Sequence, residues 1–216
     1  MDARADAIAV TADIIGSRRL DDRAAAQRAL DDAIARVEQD LPLAVRPLRP
    51  TVGDEQQAVY PGLDEALAAL LLLQLALPEG VECRFGLGMG EIGTIPAVSG
   101  DIPEGPGWWA AREAIEHLHD LQQRRAPNAR TWVAAAAASP DRIHEAVRRA
   151  NAYLLARDEL VVAMSERTRR LTYGRCLGRT QRDLAAEEGI TQSAVSQALA
   201  SGGASAVVEG FRQLRG

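Results

Sequence analysis

Twenty residues near the C-terminus, Thr180 to Leu199 (TQRDLAAEEGITQSAVSQAL), leave this part of the chain few shapes to adopt. With Gln181 counted as the first position, Leu184 and the small Ala185 fall fourth and fifth, where two short helices would touch. Gly189 falls ninth, where a tight turn asks for the positive φ that glycine adopts without steric cost. Ile190, Val195 and Ala198 take the inward positions of a second helix, and Thr191 is placed to cap it by accepting an orphan backbone N–H. The spacing predicts a helix-turn-helix at about residues 180–199. Its second helix would show Gln192, Ser193, Ser196 and Gln197 to solvent, short polar groups suited to base edges or phosphates. Double-stranded DNA is the expected partner. A purely structural three-helix unit with a glycine turn would use the same inward positions.

The remainder is a different object, as its charge shows. Residues 1–162 carry 17 arginines against 25 acids, whereas residues 163–216 carry 8 against 5. A basic tail on an acidic body suits an electrostatic footprint on a phosphate backbone, with Arg169 and Arg170 just before the motif as expected phosphate contacts. Every basic side chain other than histidine is arginine, so no mechanism needing a catalytic lysine is available. Cys83 and Cys176 lack metal-site spacing and read as buried small residues. The richest apolar run, Leu63 to Leu77, is broken by Asp64, Glu65 and Gln74, so no membrane span is expected. An N-terminus with neither a basic region nor an apolar signal core implies a cytoplasmic protein.

Strand and helix patterns alternate through the body. Ala5 to Ile15 is an apolar, β-branched run ended by Gly16, and Leu30, Ile34, Val37 and Leu41 then recur at helical spacing over about 20–40. Two short β-like runs flank Thr51-Val52-Gly53-Asp54, with Gly-Asp as a hairpin turn. A second helix is expected at 62–76, a β region at Val81 to Ile92, a loop, a helix at about 107–124 and a last strand near 130–136. The order β-α-β-β-α-β predicts a ferredoxin-like antiparallel sheet, an α+β domain over 1–139 followed by an all-helical part over 140–216.

Within that topology the first strand neighbours the third, which brings Asp13 at the end of one towards Asp54 at the hairpin beside the other. Two such carboxylates suit Mg²⁺ or Mn²⁺, which take their other ligands from phosphate and water. A turn residue and a strand terminator would explain the same two acids separately. Gly86 and Gly88 on one strand parity allow a second backbone or a ligand to approach closely. Trp108 and Trp109 are able to stack on a base or to fill a core.

ADIIGSR (12–18), TVGDEQQAVY (51–60), RFGLGMGEI (84–92) and GWWAAR (107–112) resemble, in order, the signature blocks of class III nucleotidyl cyclases. That resemblance implies metal binding by Asp13 and Asp54, transition-state support by Arg112, and nucleotide contacts at Gly53, Gly86, Gly88, Asp101 and Trp108. It also implies a homodimer whose pocket Arg112 enters from the partner. Trp108 stands where such enzymes carry an asparagine, and no lysine supplies the adenine-reading role. Taken with the C-terminal motif, the blocks ADIIGSR, TVGDE, GLGMGEI and GPGWWAAREAI make the chain similar over nearly its full length to the SatD family, which implies a regulatory or stress-linked role.

Three readings follow. The first is a regulator whose cyclase-like body senses a nucleotide or other small ligand and biases a DNA-binding tail. The second is an active metal-dependent nucleotidyl cyclase or transferase whose helical tail dimerises or targets it. The third is an interaction module that uses the helix-turn-helix for protein contact.

Overall fold

The computed structural model describes residues 7–17, 20–51, 55–96 and 102–216. Strand β1 (Ile8–Ile14) sorts its side chains by parity. Ile8, Val10, Ala12 and Ile14 enter the main core, while Ala9 lies with Ala7 in a smaller cluster on the opposite face. Strands β3 (Gln56–Tyr60) and β4 (Cys83–Met89) flank β1, both antiparallel to it. Strand β2 (Arg46–Pro50) pairs antiparallel outside β3, and β7 (Thr131–Ala135) runs parallel to β4 at the other edge. The order β2-β3-β1-β4 is the ferredoxin-like arrangement expected from the sequence, and β7 makes the whole sheet mixed rather than antiparallel. A separate hairpin of β5 (Gly93–Ile95) and β6 (Ile102–Glu104) occupies what reads as loop in the sequence, because three-residue strands carry no periodic signal.

Helices α1 (Arg23–Asp40) and α2 (Leu63–Ala76) pack on one face and α3 (Pro106–Arg124) on the other. The Asp22 side chain caps α1 by accepting from the Ala25 N–H at 2.7 Å. In α2 every residue from Ala66 to Leu75 is buried. A helix that is apolar all round must be covered all round. The sheet covers one side, and α5 (Glu166–Cys176) with α8 (Ala204–Arg215) lies against another.

The expected seam at 139/140 falls between β7 and α4 (Asp141–Val162), and the core runs straight across it. Val10 of β1, Leu70 of α2, Leu154 of α4, Leu171 of α5 and Phe211 of α8 all belong to one cluster. Helix α4 also finishes the edge of the sheet. Asp158, fully buried, accepts the backbone N–H groups of Arg130 (2.6 Å) and Thr131 (2.8 Å). It also holds the buried Arg157 guanidinium at 2.6 Å, and that guanidinium reaches the Thr131 hydroxyl. Farther along, the Tyr173 hydroxyl on α5 donates to Asp40 at the end of α1 at 2.7 Å. Among the described residues no helix is long and apolar enough to cross a membrane.

Candidate functional site

Strand parity builds the first site. On β4, Cys83, Phe85 and Leu87 enter the main core, which leaves Arg84, Gly86 and Gly88 on the face of α3. Gly86 and Gly88 are two of the residues that the cyclase resemblance sets against a nucleotide, and the structure puts α3 there instead. A Cβ on Gly88 would stand 1.9 Å from the Gly107 carbonyl oxygen, and one on Gly86 would stand 2.4 Å from that of Ala111. The glycines are the seat of a helix. Trp108 is likewise taken up by packing, 7% exposed among Ala7, Ala9 and Ile92 with the Arg46 guanidinium over its ring. It has no free face for a base, whereas Trp109 is 62% exposed.

Asp13 and Arg84 stand directly opposite each other in the β1–β4 register. The guanidinium grips both carboxylate oxygens, Nε to Oδ1 at 2.8 Å and Nη2 to Oδ2 at 2.9 Å. Its remaining nitrogen, Nη1, meets the His119 ring and Gln122 on α3. This pair is a wall between two clefts. One, of about 750 Å³, runs from the turn Ile15–Ser17 past Glu82 and His119 to Arg130. The other, of about 480 Å³, holds Thr11, Glu55, Arg112 and Asp120. Each carboxylate beside an arginine here is matched to it: Glu82 with Arg130 at 2.9 Å, and Glu55 with Arg112 at 3.5 Å. Arg112 thus reaches the hairpin side of its own chain, where the resemblance implies a contact across a dimer.

A metal fits the described residues poorly. Arg84 occupies both oxygens of Asp13, and among the described residues no group of three or more histidines, cysteines or acids is placed to hold an ion. Asp54, Gly53 and Asp101, the other residues expected at the nucleotide, lie outside the described residues. Arg84, His119 and Arg130 were not singled out from the sequence as ligand contacts. A register argument was available for Arg84: antiparallel neighbours that end at Ile14 and begin at Cys83 set Asp13 across from Arg84, opposite charges facing each other.

The second site is in the tail. Helix α6 (Gln181–Glu188) opens with a capping box between Thr180 and Asp183, and hydrogen bonding to Thr180 holds the Asp183 carboxyl below the usual carboxylate range. It closes on Gly189 at φ +63°, the left-handed region. Thr191 caps α7 (Gln192–Ala200) by accepting the Ala194 N–H at 3.2 Å. Leu184, Val195 and Leu199 are buried, and Gln192, Ser193, Ser196 and Gln197 are all exposed on α7.

Arg169 and Arg170 do not join that exposed face. Arg170 is clamped by Glu188, with both bonds at 2.8 Å, and also meets Glu166. The Arg169 Nε is buried, in a small recess shared with Gln74 and Arg130. Arg179 pairs with Glu187 at 2.6 Å. Arg167 and Arg182 are exposed and carry no ion pair among the described residues.

Comparison with solved structures finds nucleotide cyclases. The guanylate cyclase domain of RhGC from Catenaria anguillulae, in complex with GTP, is 15% identical, with a TM-score of 0.44 over 54% of this chain and 75% of that one. Adenylate cyclases from Trypanosoma brucei in their monomeric state are 15% identical, with a TM-score of 0.43 over 52% of this chain and 68% of theirs. The monomeric guanylyl cyclase domain of the RhoGC fusion protein from Blastocladiella emersonii is 17% identical, with a TM-score of 0.41 over 54% and 78%. Comparison with curated proteins finds no match. The model of the SatD family matches residues 7–209, from the residue before β1 to well into α8, and the chain belongs to that family.

Proposed function

We propose that this protein is a DNA-binding regulator, acting as a homodimer, whose α+β body senses a nucleotide or other small polar ligand. The observation that carries the reading is the face of α7. Four short polar side chains are exposed there, on a helix whose opposite side is buried and whose start is fixed by a cap and a glycine turn. A helix held this way meets a groove without first having to be ordered.

The sensing half rests on Arg130. Its side chain lines the larger cleft, and its backbone N–H is bound by Asp158 of α4. A ligand that recruits Arg130 away from Glu82 changes the strand end to which the tail is anchored. Arg84, Arg130 and His119 suit an anionic group such as a phosphate. The enzyme reading asks Asp13 to be free for a metal, and the Arg84 clamp disfavours it.

Fluorescence anisotropy of the full chain on duplexes from the region upstream of its own gene, with and without ATP or GTP, tests this function. A duplex affinity well above that for random DNA, shifted by a nucleotide, is the expected result. Equal affinity for every duplex and every condition would remove it.

A further inference from the structure

We propose that the duplex read by α7 carries adenines where its two glutamines reach, an inference that rests on the DNA reading above. Residues 189–208, from the turn through α7 and into α8, contain no charged side chain. That absence selects among bases. Guanine shows two acceptors in the major groove and is best met by arginine or lysine, and cytosine shows an amino donor best met by a carboxylate. Helix α7 offers neither group.

A glutamine amide presents one acceptor and one donor side by side. Adenine, with N7 as acceptor and the N6 amino group as donor, is the base whose edge complements it twice. The layout of the face fits that use. On a helix Gln192 stacks with Ser196, and Ser193 with Gln197, so the two serines lie between two longer rims. The short centre lets the helix settle into the groove, and the rims reach base pairs on either side. The exposed methyl of Ala200 adds a contact suited to the methyl group of thymine, the base opposite adenine.

Selection of duplexes from a randomised pool with the full-length wild-type chain, followed by 7-deazaadenine substitution at the enriched positions, tests the proposal. Adenine is expected at two positions of each selected site, and loss of N7 at either is expected to weaken binding about tenfold. Gln197→Glu is expected to move the preference at one of them from adenine towards cytosine, a gain that misfolding cannot imitate. Selected sites with guanine or cytosine at the contacted positions, or adenines indifferent to loss of N7, would overturn the base assignment and leave DNA binding standing. Failure to enrich or bind any duplex would overturn both.

Discussion

Asn151 on α4 gives Val133 on β7 what a neighbouring strand would have given it. Its side-chain oxygen accepts the Val133 N–H at 2.8 Å, and its side-chain nitrogen donates to the Val133 carbonyl at 2.9 Å. Seven residues on, the Asp158 carboxylate accepts the N–H groups of Thr131 and Arg130. An exposed sheet edge invites pairing with other chains, and here a helix closes it through its side chains. The tail is therefore built into the edge of the sheet.

Asp158→Ala is expected to be among the most damaging single changes in the chain. It strands the buried Arg157 guanidinium and two backbone N–H groups at once. Breaking a buried pair from one side typically costs about 3–5 kcal/mol. Urea denaturation checks it, and a loss below about 1 kcal/mol would mean that Arg157 finds another partner.

Gly88→Ala is expected to destabilise by at least about 1–3 kcal/mol, because a methyl group there meets the α3 backbone rather than a movable side chain. The same change at Gly189 acts differently: among the described residues nothing lies within 4 Å of its Cβ, and the left-handed φ is what resists. Thermal melts of the two variants should show the larger drop for Gly88.

Gln56 is fully buried on the face of α1 and α2, opposite Ala12, and among the described residues neither end of its amide has a partner. Unpaired buried polar groups cost about 1–3 kcal/mol each. Gln56→Met keeps the length of the side chain and removes that cost, so the denaturation midpoint is expected to rise. A fall would show that the amide meets a partner in the working protein.

Much of this was legible in the chain. The apolar run of β1, the two short strands on either side of residues 52–54 and the spacing around Gly189 each follow from local pattern, and the order of the first four strands follows from them. Orientation was not legible. Arg170 reads as a free cation until α5 and α6 are folded together, which brings it to Glu188, 18 residues on. Gly86 and Gly88 permit a ligand or a helix equally, and only the path of α3 decides. The two-part division came from charge and hydrophobic period. The all-round apolar surface of α2 carried the contrary message, that something beyond the sheet must cover it.

Phosphate contacts are expected from Arg182 rather than Arg170. Arg182→Ala should reduce the slope of log affinity against log salt by about 1, the signature of one lost phosphate contact. Arg170→Ala should leave the slope unchanged. Equal slopes for all three proteins would move the phosphate contacts elsewhere.

Acid is expected to loosen the tail through Glu188. Hydrogen bonding to Arg170 holds its carboxyl below the usual carboxylate range. A depressed folded value favours the folded state above the unfolded pKa of about 4.3 and ceases to do so as pH falls through the folded value. The stability gap between wild type and Glu188→Gln, at most about 1 kcal/mol at pH 7, should narrow as pH falls below about 4.3. A gap of constant size from pH 7 to pH 3 would show that packing, not charge, sets the effect.

Helix α2 also sets how late in synthesis the protein can finish folding. By the time the last strand is synthesised, α2 is complete, but α5 and α8, which cover its outer side, have not yet been made. For that interval the nascent chain shows a leucine-rich surface that the finished protein never exposes. A shortened gene that stops after β7 makes the interval permanent, so its product should be recovered with chaperones or in inclusion bodies.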